Sequence, residues 1–221
     1  YEAQRKRMLK KAPHGPLRDF LAVPFPALNT PFEQIPILAV DFETTGLNPD
    51  KDSILSVGFV LLQNNSIKLD SCYHQIITAQ QSLDPNNVTI HKITDQASAE
   101  GEQLEKVVES LLAELEGKVM LVHYAQIERQ FLTQACLKLY GVAPVFPVID
   151  TLALAKKRYD RRQECYQASC LHLANLRAEY GLPHHKAHNA LNDAIATAEL
   201  FIAKIQHTEL GGNTSLKSFL S

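Results

Sequence analysis

Two carboxylates two residues apart open the chemical reading of this sequence, Asp41 and Glu43 in the run 38-LAVDFETTGL-47. Residues at that spacing on a strand project to the same side. Neighbouring carboxylates repel each other unless a cation lies between them, and paired hard oxygen donors suit Mg²⁺ or Mn²⁺. The same pair also reads as one acid facing solvent while the other caps a turn. The following Thr44-Thr45-Gly46 turn favours the metal reading, because glycine allows a ligand or a second backbone to approach closely.

A third acid stands out by its surroundings. Plotted at the helical repeat, Tyr124, Phe131, Leu132, Ala135 and Leu139 form an apolar stripe with Glu128 in its middle. An unpaired buried carboxylate is costly, so Glu128 is expected to have a partner. A fourth acid, Asp193, lies at the margin of the stripe Ala190, Ala194, Thr197, Phe201 and Ile205 in the final helical pattern. It reads either as a group pointing into a cleft or as a partly exposed surface acid. His188 precedes Asp193 by five residues, about 140° around a regular helix, so it is expected in the loop or first turn. A loop histidine beside clustered carboxylates can take a proton from water near neutral pH. His184, His185 and His188 also suggest zinc, but no cysteine or other acid stands there at ligand spacing.

The elements that must carry these groups follow from the periodicities. Strands are expected at 37–40, 54–62, 73–77, 118–122 and 145–149, with turns at Asn48-Pro49-Asp50 and Asn64-Asn65. Helices are expected over 102–115, 125–139, 152–159, 170–180 and 189–206, the third capped by Asp150-Thr151. Hairpin-like strands followed by alternating strands and helices give an α/β fold, a mixed sheet covered by helices. Residues 1–36 differ: a basic segment, 4-QRKRMLKK-11, that suits a short helix, then a stretch with six prolines expected to run extended over the surface. Three regions result, an arm over 1–36, a single domain over 37–206 and a polar tail over 207–221.

The 221 residues are 45% hydrophobic and carry a formal net charge of −2, so any nucleic acid must be met by a local patch or through metal ions. The four cysteines show no paired spacing and are expected as reduced thiols. No apolar run reaches membrane length and no signal-peptide core is present, so a cytoplasmic location away from membranes is expected.

In order along the chain, DFETTGL, the central acid and His188–Asp193 in HNALNDAIAT resemble the DEDDh 3′–5′ exonucleases, the group of the proofreading epsilon subunit of bacterial DNA polymerase III, RNase T and oligoribonuclease. The resemblance spans about 37–206, with 88-VTIHKITD-95 and 149-IDTLALAK-156 matching further family segments. It departs at the middle motif, where the family has His-Asn-Ala and then an aspartate. This chain reads His123-Tyr124-Ala125 with Glu128, whose extra methylene moves the carboxylate by about 1 Å or more.

The resemblance implies a ribonuclease H-like fold and two divalent ions, Mg²⁺ or Mn²⁺, held by Asp41, Glu43, Glu128 and Asp193, with His188 as general base. It implies Thr44 and Leu47 as contacts to the terminal nucleotide, single-stranded DNA or RNA 3′ ends as substrate, and nucleoside 5′-monophosphate as product. DNA is the expected substrate, with Arg158, Arg161 and Arg162 as candidate flanking phosphate contacts. Trimming of RNA or short oligoribonucleotides, or a catalytically impaired nucleic-acid-binding module, are the alternatives. A polymerase or clamp partner is a further expectation: the tail around 212–220 resembles clamp-binding peptides but lacks their leading glutamine.

Overall fold

The computed structural model of the chain describes residues 1–78, 93, 95–207 and 214–220. Strands β1 (Ile37–Thr44), β2 (Ile54–Gln63) and β3 (Ser66–Ile76) run as an antiparallel meander, and β4 (Val119–Val122) and β5 (Val148–Asp150) join it in parallel, in the order β3-β2-β1-β4-β5. The β2–β3 turn places Asn64 and Asn65 at φ 53° and 55°, the left-handed geometry that a tight hairpin demands and asparagine tolerates. β3 begins earlier than expected; in its first half only Ile67 packs on the core, while Leu69 stands exposed among polar residues.

The helices are α1 (Glu2–Leu9), α2 (Pro16–Ala22), α3 (Asp95–Ala99), α4 (Leu104–Leu115), α5 (Gln126–Tyr140), α6 (Thr151–Arg162), α7 (Leu173–Glu179) and α8 (Ala190–His207). Side-chain alternation along β1 sends Leu38, Val40 and Phe42 to one face, packed with Leu111 and Leu112 of α4 and Phe131 and Leu132 of α5. Ile37 and Ala39 go to the opposite face, against Ala198, Phe201 and Ile205 of α8. Asp41 and Glu43 continue this second series toward the C-terminal end of β1.

The N-terminal segment is not the extended surface arm that its prolines suggest. Pro16 is the first residue of α2, where a missing N–H costs no helical bond. Leu17, Phe20 and Leu21 of that helix are at most 1% exposed, within the core shared with α4. At the other end, Leu216 and Phe219 are buried against Phe32 and Phe201, in the segment expected to be a polar tail. These two side chains are taken up by the core. Positions 88–92 and 94 of the family-like segment, and 208–213 of the tail, lie outside the described residues. Among the described residues, no helix is long and apolar enough to cross a membrane, and the four cysteines are free thiols.

Candidate active site

Asp41 lies opposite Gly58 of β2. A Cβ on Gly58 would fall 2.2–2.6 Å from the backbone of Ala190 and Leu191, so this glycine and the alanines of α8 let the helix start directly on the sheet. That seating brings Asp193, in the first turn of α8, down to the strand end. Asp41, Glu43 and Asp193 each present a carboxylate oxygen, and the three oxygens lie within 4.8 Å of one another.

Glu128 reaches the same region from the first turn of α5. It is 2% exposed, and its Oε2 makes no hydrogen bond with a described residue. Burial pushes its carboxyl up to about 8, against a downward pull from backbone hydrogen bonds. Asp41 is held well above the usual carboxylate range, first by desolvation and then by the charges of Glu128, Asp193 and Glu43. The geometry therefore joins all four acids electrostatically, with Glu128 outside the tightest group of three.

The start of α5 is fixed by a residue read from sequence only as a helix cap. Asp150, at the end of β5, accepts from Leu152 (2.9 Å) and Ala153 (3.3 Å) at the start of α6. Its two oxygens also take the N–H groups of Tyr124 (3.1 Å) and Ala125 (3.0 Å), just before α5. Tyr124 consequently stands outside the buried stripe, at φ 79° and 42% exposed, its hydroxyl donating to Gln126. His123 is turned inward, bonded to the Thr151 hydroxyl (2.8 Å) and the Leu171 carbonyl (3.0 Å). Its burial lowers its pKa to about 4, so it is a neutral pin between β4 and α6.

Asp193 is the hub of the loop before α8. Its Oδ2 accepts the backbone N–H of His188 (2.8 Å) and Asn189 (3.2 Å), and its Oδ1 meets Nε2 of His185 (2.9 Å). Desolvation raises the Asp193 carboxyl, opposed chiefly by His185. His188 lies in the loop as expected, exposed and at φ 66°, and its backbone N–H is the group that donates to Asp193. The ring that touches Asp193 belongs to His185, which the sequence offered only as part of a zinc alternative. No periodicity signals that contact, since it depends on the path of an irregular loop.

Thr44 closes the β1 end by donating to the Gly46 carbonyl (2.7 Å), and Leu47 stands 75% exposed just beyond it. The space at Gly46 is filled by the Asp52 carboxylate, 2.5–2.8 Å from where a Cβ would be, so the glycine serves its own loop. Arg158 is engaged inside the fold, paired with Glu179 and donating to the Tyr180 hydroxyl (2.9 Å), and is not a free phosphate contact.

The donor set fits divalent metal. Three carboxylate oxygens converge, a fourth acid has a buried oxygen that bonds to no described residue, and desolvation together with the neighbouring carboxylates already raises Asp41, an effect that added positive charge opposes.

Comparison with known proteins agrees with this architecture. The RNase T family model, described as an exonuclease, matches residues 38–201. DNA polymerase III PolC-type of Thermotoga petrophila is 31% identical over 185 residues, covering 84% of this chain and 13% of that protein. The chain thus spans about an eighth of that relative's length. DNA polymerase III subunit epsilon of Treponema pallidum is 30% identical over 179 residues, 79% of each chain. The nuclease domain of 3′hExo, a DEDDh family member solved bound to rAMP, superposes with a TM-score of 0.66 at 17% identity, over 78% of this chain and 92% of that one. A zinc-bound E. coli ExoI–ssDNA complex gives a TM-score of 0.70 at 17% identity, over 80% and 42%. These likenesses show the ribonuclease H-like exonuclease fold.

Proposed function

The chain belongs to the RNase T family of exonucleases, of DEDDh type, and from that premise we propose that it removes nucleotides one at a time from the 3′ end of a single strand, with DNA as the preferred substrate. The observation that carries the reading is the convergence of Asp41, Glu43 and Asp193 at the end of β1, with Glu128 beside them. A relative matched over most of its own length is a DNA polymerase subunit, which supports DNA and makes a polymerase the natural partner class.

In this mechanism Asp41, Glu43, Asp193 and Glu128 would hold two divalent cations, Mg²⁺ or Mn²⁺, which would lower the pKa of water and neutralise charge on the scissile phosphate and the leaving oxygen. They also explain how a chain of net charge −2 accepts a polyanion. His188 takes the proton of the attacking water on a ring nitrogen. The water oxygen bonds to phosphorus as the bond from phosphorus to the 3′-oxygen breaks. That oxygen leaves as an alkoxide and takes a proton from solvent to become the 3′-hydroxyl of the shortened strand, while His188 returns its proton to solvent and a nucleoside 5′-monophosphate is released. Thr44 and the exposed Leu47 bracket the terminal nucleotide, Leu47 as an apolar wedge against its base.

The test is digestion of matched 3′-labelled single-stranded DNA, RNA and mismatched duplex, with Mg²⁺ or Mn²⁺ and with a chelator. Release of labelled mononucleotide from DNA, abolished by the chelator, is expected. Intact label on every substrate with either metal would sink the enzyme reading, and a strong preference for dinucleotides would replace proofreading-type activity with oligoribonuclease-type activity.

A further inference from the structure

The catalytic reading leaves one strongly charged surface unused. Lys6 and Arg7 of α1, with Lys10 and Lys11 just beyond it, are all exposed, and no side chain of the four forms a hydrogen bond or ion pair with a described residue. The only acid on α1, Glu2, is taken by the buried Arg5 at 2.9 Å and by the Phe25 N–H at 3.0 Å. Like charges three and four apart on a helix oppose its formation by about 0.2–0.5 kcal/mol per pair. Lys6 gains a weak attraction to Glu2, and with Arg7 it suits the C-terminal turn of α1, but none of the four is held in an ion pair by a described residue, in a chain whose net charge is negative.

The patch is also held rigidly. Arg5 is 4% exposed and donates to the carbonyls of Leu21 and Ala22 at the end of α2, whose Leu17, Phe20 and Leu21 belong to the domain core. Its location matters equally: the Tyr1 hydroxyl lies 3.5 Å from Nη2 of Arg129, the residue after Glu128. The basic helix therefore starts beside the first turn of α5 and runs about 15 Å from Tyr1 to Lys11, outside the stretch 38–201 that the family model matches.

We propose that Lys6, Arg7, Lys10 and Lys11, continued by Arg129 toward the acidic site, form a binding track for the phosphate backbone of the strand whose 3′ end is being removed. This rests on the exonuclease reading, since it takes the polyanion to be the substrate itself. The track makes no base contacts and so holds strands regardless of sequence. It offsets the repulsion that the acidic site imposes on an approaching strand, and a substrate of one or two nucleotides is too short to use it.

The experiment replaces all four cations together (Lys6→Gln, Arg7→Gln, Lys10→Gln, Lys11→Gln), with circular dichroism and melting as controls for folding. Binding of a long single-stranded oligonucleotide is measured in chelator, where no hydrolysis occurs, across a salt series. Each lost phosphate contact flattens the dependence of log K on log salt by about 0.7, so a reduction of about 2–3 is expected. With metal, KM for the long strand rises about ten-fold at moderate salt while kcat, and all kinetics on a dinucleotide, stay unchanged. An unaltered salt slope and KM in a folded variant overturn the track. Binding of wild-type protein to anionic phosphatidylserine vesicles, lost in the variant while strand binding is kept, would assign the patch to a membrane surface instead. A wild-type protein that binds the strand through these residues but never shortens it would leave the track standing and sink the exonuclease reading.

Discussion

At the scale of single residues, the site is governed by what each carboxylate lacks. Glu128 is buried with an oxygen that bonds to no described residue, and folding moves its carboxyl from an ordinary 4.5 to about 8. The native metal-free protein keeps a proton there that the unfolded chain gives up, so stability falls as pH climbs from about 4.5 to about 8. In chelator, the melting temperature of wild type should drop across that window and that of Glu128→Gln should stay flatter; parallel profiles would assign the slope elsewhere. Asp193 is instead well supplied, and His185 is expected to orient its Oδ1 for metal. His185→Ala should weaken Mn²⁺ binding, read by calorimetry, about ten-fold, with His185→Gln restoring part of it. His188→Ala should lower kcat by about 100-fold or more while Mn²⁺ binding persists; near-normal turnover would remove His188 as the base. The acids were legible in the sequence because a strand pair and a charge in an apolar stripe are periodic signals. His185 and the left-handed Tyr124 were not, because irregular backbone sets them and no period runs through a loop.

At the scale of elements, the site exists because α8 starts where β2 has no side chain. Gly58→Ala puts a methyl within 2.2–2.6 Å of the Ala190 and Leu191 backbone, which cannot move aside as a side-chain tip does. The helix start must lift and carry Asp193 away from Asp41. A loss of about 1–3 kcal/mol in denaturant unfolding is expected, together with weaker metal binding. A variant with normal stability and affinity would show that the helix seat has slack. The alanine-rich face of α8 announced close packing in the sequence, but its partner glycine became visible only with the register of β1 on β2. Asp150 spans more than one element in the same way. Its cap on α6 follows from Asp150-Thr151, whereas its grip on the start of α5 joins residues 25 and 26 positions apart, beyond any local pattern.

At the scale of the whole molecule, the segment before β1 is structural. Six prolines made it read as an extended arm, yet Pro16 starts a helix and Phe20 is 0% exposed. Phe20→Ala should cost about 3–5 kcal/mol in chemical unfolding; a cost below about 1 kcal/mol would mean that the segment rides on the domain without belonging to its core. Its far end is tied down as well. Leu216 and Lys217 donate their N–H groups to the carbonyls of Thr30 and Leu28, both at 3.0 Å, and Phe32 donates to Thr214 at 3.0 Å. This seam joins stretches separated by nearly the whole sequence, the costliest kind of loop to close. We expect it to form late in folding, once both ends of the chain have been brought together by the rest of the domain, and to be an early segment to open. Were it to open, Phe32, Leu216 and Phe219 would come into water together, so limited proteolysis of the native protein is expected to cut at this seam before the strands that carry the acids part; first cuts within the sheet would show that the seam is not the weak point.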